Sequence, residues 1–121
     1  MDKGKINNFT DLIAWQEGHK AVLMIYKMTS VFPKSEIFGL VSQMRRSAVS
    51  ITSNIAEGFT RNGPKEKIQF YYISKASITE LQNQLIISRD VGHTKKSEFD
   101  TINEQLCIVS RLVHGLIKSL R

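Results

Sequence analysis

Apolar residues recur along this chain at intervals of three and four, the spacing that places side chains on one face of an α-helix. Helix-breaking residues interrupt the pattern at Pro33, between Gly58 and Pro64, and at Gly92, and no stretch sustains the alternation of a β-strand. The periodic segments therefore predict four helices, over about residues 11–31, 36–58, 64–91 and 98–120.

The connections between these segments are short, and short connections join neighbouring helices antiparallel. We therefore predict an all-α fold, an antiparallel up-and-down four-helix bundle that spans residues 9–121. Residues 1–8 are polar and lack an apolar period, so a flexible N-terminal segment is expected there. At 121 residues the chain is long enough to bury one hydrophobic core.

Each segment has a predicted core face. In the first it comprises Leu12, Trp15, His19, Val22, Tyr26 and Thr29. In the second it comprises Leu40, Met44, Ala48, Ile51 and Ile55. In the third it comprises Phe70, Ile73, Ile78, Leu81 and Leu85, with further apolar surface at Tyr71, Tyr72, Ile86 and Ile87. In the fourth it comprises Phe99, Ile102, Leu106, Val109, Val113, Leu116 and Leu120.

Residues at the segment boundaries predict how the helices begin and end. Thr10 and Ser35 are candidate N-caps of the first and second helices, because a hydroxyl oxygen accepts hydrogen bonds from unpaired backbone N–H groups. Pro64 suits the first position of the third helix, and Gly92 suits the left-handed residue that closes it. Ser97, followed three residues later by an acid, resembles a capping box of the fourth helix.

The second segment carries very few charges. From residue 36 to residue 58 only Glu36, Arg45, Arg46 and Glu57 are charged. A helix that is poor in charge on several faces is usually buried on several faces. We therefore expect this helix to pack under its own neighbours or against another copy of the chain.

Composition narrows the function and the compartment. The formal net charge of +6 is typical of proteins that bind a polyanion, such as nucleic acid. The single cysteine, Cys107, excludes an intrachain disulfide and favours a reducing compartment. A secretory signal is absent, and the longest apolar run, 21–26, is too short to span a bilayer. We expect a cytoplasmic protein that does not contact a membrane.

The sequence predicts no catalytic, cofactor-binding or metal-binding residue. Glu17 and His19 have the wrong spacing for the Glu-x-x-His pair of a di-metal bundle, and His93 and His114 have no suitable acidic partner nearby. Cys107 has no histidine within a helical turn to activate it. A glycine-rich phosphate loop is also missing. We therefore expect a protein that is not an enzyme.

The most distinctive stretch runs from residue 43 to residue 61 and supports two interpretations. In the first, polar residues fix helix register or an interface between copies, and the residues in this role are Gln43, Ser50, Asn54, Glu57 and Gly58. In the second, a basic rim binds phosphate groups of nucleic acid, and the residues in this role are Arg45, Arg46, Arg61, Lys65 and Lys67.

The same stretch carries a family resemblance. Its most specific part is Gln43 to Gly58, and it is joined by the segments Phe9-Thr-Asp-Leu12, Trp15-Gln16, Gly39-Leu40, Ala76-Ser77 and Glu80-Leu81. With these motifs the chain resembles the four-helix-bundle proteins encoded within intervening sequences of bacterial 23S ribosomal RNA genes. The resemblance covers about residues 9–118.

The resemblance carries implications for assembly and partners. Similar bundles are the accessory variability determinants of diversity-generating retroelements, which form basic pentameric barrels and bind a reverse transcriptase and nucleic acid. By this analogy we expect a homo-oligomer, a pentamer, that binds RNA or DNA, with a reverse transcriptase as partner if the gene lies in a retroelement. The alternative is a protein-interaction adaptor that docks a partner through Tyr71, Tyr72 and Ile86 and does not contact nucleic acid.

Overall fold

The structure is a computed structural model that describes residues 5–121, and these residues form a four-helix bundle, as predicted. The first half of the predicted flexible segment 1–8, residues 1–4, lies outside the described residues. The helices are α1 (Ile13–Thr29), α2 (Ser42–Thr60), α3 (Pro64–Asp90) and α4 (Lys96–Ser119). Within 5–121, no helix is long and apolar enough to cross a membrane.

Side-chain contacts establish the antiparallel order of the helices around the bundle. Between α2 and α3, Ser47 bonds Glu80 near one end, and Gly58 lies against Tyr71 near the other. Between α1 and α4, the Gln105 amide donates to the backbone carbonyl of Glu17 at 2.8 Å. The neighbours around the bundle are therefore α1, α2, α3 and α4 in turn, with α4 closing against α1.

The predicted caps at the starts of the first and last helices are wrong. The residue before α1 is Leu12, which makes no side-chain capping bond. Thr10 lies inside a 3₁₀ turn over Phe9–Asp11, and Asn8 caps that turn by accepting a hydrogen bond from the Thr10 amide at 2.8 Å. Helix α4 begins at Lys96, one residue before Ser97, and no side chain caps it. The third helix behaves as predicted, because Pro64 opens α3 and Gly92 takes a φ of 87°.

The predicted start of the second helix at residue 36 is also wrong, because the backbone breaks at Gly39 (φ −107°, ψ −111°). A wide π-type turn over Ile37–Val41 precedes α2, and Ser35 caps nothing there. Glu36 stabilises this turn, because its Oε2 lies 3.0 Å from Nε2 of His93 across the end of the bundle. As a result, the side chain of Phe38 points away from the core and is 97% exposed.

The predicted core faces of α2 and α4 are largely confirmed. The members that are fully buried are Met44, Ala48, Ile51 and Ile55 on α2, and Ile102, Leu106, Val109 and Val113 on α4. On α3, Ile78, Leu81 and Leu85 are buried as predicted, but Ile73 is exposed and Tyr71 is buried in its place. The error arises because Tyr71 packs against a glycine on α2, which a single-helix pattern does not reveal.

The predicted core face of α1 is only partly right. Val22 and Thr29 are buried, and Leu12 and Trp15 pack against the core while partly exposed, but His19 and Tyr26 are exposed. The residues that face the core instead are Ala14, Gly18, Ala21, Ile25 and Met28. Three of these are small, which lets α1 approach its neighbours closely. A Cβ on Gly18 would lie 3.1 Å from the Thr52 methyl group on α2. The first half of α1 therefore contacts its neighbours through small residues, whereas Ile25 and Met28 fill the core farther along the helix.

Candidate nucleic-acid interface

The five basic residues predicted to bind nucleic acid form two groups in the structure. Arg45 and Arg46 lie in the first turn of α2, whereas Arg61, Lys65 and Lys67 surround the turn between α2 and α3. Arg46 and Arg61 are about 22 Å apart along the helix axis. The structure therefore does not join all five residues into one continuous rim.

In the first group, Arg45 links α2 to α1. Its Nε donates to the Thr29 hydroxyl at 3.0 Å, and its guanidinium carbon lies 4.6 Å from the ring centre of Tyr26. Its Nη2 also donates to the backbone carbonyl of Tyr26 at 3.4 Å. Arg46 is exposed and makes no ion pair with any described residue. Arg46 is therefore the member of the pair whose charge is available to a ligand.

Substitutions at Arg45 and Arg46 distinguish the side chain that stabilises the fold from the one that is available to a ligand. We expect Arg45→Gln to lower the free energy of unfolding by about 1 kcal/mol, because it removes the hydrogen bonds to α1 and the contact with the Tyr26 ring. We expect Arg46→Gln to change that free energy by less than about 0.5 kcal/mol, because the side chain is exposed. Urea unfolding of both variants tests this, and equal losses of stability would contradict the assignment.

In the second group, Lys67 is also occupied by the fold. Its ammonium donates to the carbonyls of Phe59 at 2.6 Å and Gly58 at 3.3 Å, and so caps the C-terminal end of α2. The guanidinium of Arg61 lies 4.5 Å from the ring centre of Phe70. Lys65 and Arg61 are exposed. These two side chains therefore present the free charge at this end of the bundle.

The polar motif residues form the seam between α2 and α3. The hydroxyls of Ser50 and Ser77 lie 2.8 Å apart, and the Asn54 amide donates to the Ser50 carbonyl within α2 at 2.8 Å. The Ser74 hydroxyl donates to the Ile51 carbonyl at 2.9 Å. Short side chains on both helices therefore bring the two backbones close together and satisfy their own polar groups.

Gly58 is a point of close approach in this seam. A Cβ built there would lie 2.7 Å from the Tyr71 ring and 3.1 Å from the Cβ of Phe70. Tyr71 is only 3% exposed, and this burial raises the pKa of its phenol. Gly58 is thus required by packing and not by a ligand.

The remaining motif residues, Gln43 and Glu57, are exposed. Glu57 makes no ion pair with another described residue. Gln43 and Arg46 border a small open cavity of about 360 Å³ between α2 and α3. These residues are available for contacts outside the bundle.

The structure also contains an apolar groove that the sequence did not predict. It has a volume of about 810 Å³ and lies beside the π-type turn, between the end of α1 and the start of α2. We call it the Phe38 groove, and its lining includes Tyr26, Phe32, Ile37, Phe38, Val41 and Val49, with Lys34, Arg45 and Arg46 at the edge. The break at Gly39 lies between the groove residues Phe38 and Val41, and this glycine is a signal of the break in the sequence.

The histidines are engaged in packing and surface contacts. The ring of His19 stacks on Trp15 with centroids 4.9 Å apart, and His93 pairs with Glu36. His114 lies at the surface, where its Nδ1 is 3.4 Å from the Lys75 ammonium. In the described part of the chain, no three His, Cys, Asp or Glu side chains are grouped closely enough to hold a metal ion.

Comparison with known proteins agrees with this fold. Residues 10–115 match the 23S rRNA-intervening sequence protein family. The crystal structure of a protein of unknown function from the S23 ribosomal protein family of Bacteroides thetaiotaomicron superposes with a TM-score of 0.79, covering 88% of this chain and 99% of that chain. Its sequence identity is 19%, so the likeness establishes the fold alone. No curated protein matches the chain in sequence.

Proposed function

We propose that this chain, which belongs to the 23S rRNA-intervening sequence protein family, is a non-enzymatic homo-oligomer that binds RNA or DNA through a basic surface. The observation that carries the nucleic-acid half is the excess of positive charge, +6 in 121 residues. Arg46, Arg61 and Lys65 are exposed and contribute to that charge at the surface. Exposed Lys and Arg side chains bind phosphate groups without reading base sequence.

The oligomer half of the proposal is supported by the Phe38 groove. Phe38 lines this groove and is 97% exposed, and Val31, which lies between the lining residues Ser30 and Phe32, is 78% exposed. A soluble protein rarely leaves large apolar groups in such an arrangement unless a partner covers them. A second copy of this chain is the proposed occupant, and a ring of five copies follows the analogy with the accessory variability determinants.

The nucleic-acid half predicts a strong dependence on salt. We expect the affinity for a labelled single-stranded RNA to fall at least about tenfold between roughly 50 and 200 mM salt, because each neutralised phosphate contributes about −0.7 to the log–log slope. A fluorescence anisotropy titration at several salt concentrations measures this slope. Absence of binding at the lowest salt would contradict the nucleic-acid half of the proposal.

The oligomer half is tested separately by light scattering at micromolar concentration. A mass corresponding to several copies supports a homo-oligomer, and a multiple of five supports the ring. A monomer at this concentration would exclude both.

The protein-interaction adaptor remains the second candidate function. Tyr71 no longer supports it, because that side chain is buried, but Tyr72 and Ile86 are 44% and 42% exposed. A pulldown from the host, with and without RNase, separates the two functions. Partner proteins that stay bound after RNase treatment and bind the chain directly favour the adaptor. Partner proteins that are lost after RNase treatment favour nucleic-acid binding. A reverse transcriptase among the partners would indicate the retroelement role.

A further inference from the structure

Helix α4 carries a row of basic residues along its outer face. Arg111, His114, Lys118 and Arg121 recur at intervals of three, four and three, and all four are exposed. This spacing keeps Arg111, His114 and Lys118 on one side of α4, beside its core residues, and Arg121 follows two residues after the helix ends at Ser119. From Arg111 to Arg121 the row is about 15 Å long.

The neighbouring face of α3 extends this row into a surface. The Lys75 ammonium lies 3.4 Å from Nδ1 of His114, and the Arg121 guanidinium donates to the Tyr72 hydroxyl. Tyr72 is 44% exposed, so part of its ring is open to solvent. We call this surface the α3–α4 basic face, and it comprises Tyr72, Lys75, Arg111, His114, Lys118 and Arg121.

Acidic residues are missing from the stretches that form this face. Residues 67–79 and 105–121 contain five Lys or Arg residues and no Asp or Glu. The net charge of the whole chain is +6, so these two stretches hold most of the excess. Glu104, an exposed acid about two helical turns before Arg111, marks the end of the basic row. From Arg111 onward the row attracts a polyanion.

We propose that the α3–α4 basic face binds single-stranded nucleic acid, with the phosphates along the α4 row and a base stacked on Tyr72. This inference rests on the proposed function, for which it names the surface and the class of nucleic acid. Single-strand sites combine a basic track with an aromatic ring on which an unpaired base stacks. Paired bases in a duplex are already stacked on each other and gain nothing from Tyr72.

The α4 row is tested with the double variant Arg111→Gln/Lys118→Gln in the full chain. We expect its affinity for a labelled single-stranded RNA oligonucleotide to fall at least about tenfold and its log–log salt slope to become shallower by about 1.4, because two phosphate contacts are lost. The matched control is Lys27→Gln/Lys95→Gln, which removes the same charge from exposed positions elsewhere. The control is expected to keep the wild-type slope.

Tyr72 is tested with a pair of variants. Tyr72→Leu removes the ring and is expected to weaken binding of the single strand about tenfold, while binding of a duplex of the same sequence is unchanged. Tyr72→Phe keeps the ring and removes only the hydroxyl, so we expect it to bind the single strand almost as the wild type does. Circular dichroism of each variant confirms that the bundle is intact.

The outcomes distinguish this inference from the function on which it rests. If the wild type binds no nucleic acid at about 50 mM salt, the proposed function is wrong. If the wild type binds but the α4 variant behaves as its control does, the function stands and this face is not the site. If Tyr72→Leu leaves single-strand binding unchanged, the single-strand assignment is wrong. If the α4 variant loses adhesion to anionic vesicles but keeps its affinity for RNA, the face is a lipid surface.

Discussion

Replacing Gly58 by alanine is expected to lower the free energy of unfolding by about 2 kcal/mol. The new methyl group would lie 2.7 Å from the Tyr71 ring, and overpacking of so tight a contact costs about 3 kcal/mol, the upper end of the usual range. Alanine recovers at most about 1 kcal/mol through its higher helix propensity. Tyr71 is buried and has little room to move aside, so the packing cost exceeds this gain.

Urea unfolding at a fixed protein concentration measures the effect, since an oligomer couples stability to concentration. The transition midpoint is expected to fall while its slope is unchanged. Gly115→Ala is the matched control, because it is also helical and a Cβ there would meet nothing within 4 Å. The control is expected to raise the stability by about 0.5–1 kcal/mol. A stabilising Gly58→Ala would contradict the proposed role of Gly58 in the seam.

Phe38→Asp is expected to convert the proposed oligomer to a monomer at micromolar concentration. Burial of a Phe side chain contributes about 1.5–3 kcal/mol to an interface, and burial of an unpaired carboxylate in its place costs more. In a ring every interface would contain the substitution, so the effect is repeated around the assembly. The fold itself should be unaffected, because Phe38 is 97% exposed in the single chain.

Light scattering coupled to size-exclusion chromatography measures the mass, and circular dichroism reports the fold. The control is Ile13→Asp, which places the same charge at a 63% exposed apolar position at the opposite end of α1. An aspartate at a helix N-terminus is favourable, so this variant is expected to fold and to retain the wild-type mass. A Phe38→Asp protein with the wild-type mass would exclude the Phe38 groove as the interface.

The helix count and the core faces of α2 and α4 could be predicted because they depend on local spacing. Residues such as Ile51 and Val109 are both large and apolar, so periodicity identified them directly. The same reasoning was incomplete for α1, where Gly18 and Ala21 also face the core. Small residues carry a weak hydrophobic signal, although they are needed where two helices approach closely.

The functional interpretation of the basic residues depended on contacts that sequence spacing does not report. Arg45 and Lys67 looked equivalent to Arg46 and Lys65, yet the first pair bonds to groups of the fold and the second pair is exposed. The difference is set by partners that lie on other elements. Local periodicity indicates the side of a helix on which a side chain lies but not the group that it meets.

The sequence by itself determined the four helices, the family, the net positive charge and the motif that later proved to be the α2–α3 seam. Each of these depends on residue type or on neighbours within one or two helical turns. Only the tertiary structure decided that Gly58 lies against Tyr71, that the break at Gly39 exposes Phe38, and that Lys75 meets His114 on the next helix. These features depend on how separate helices pack, because such contacts join residues far apart in the chain.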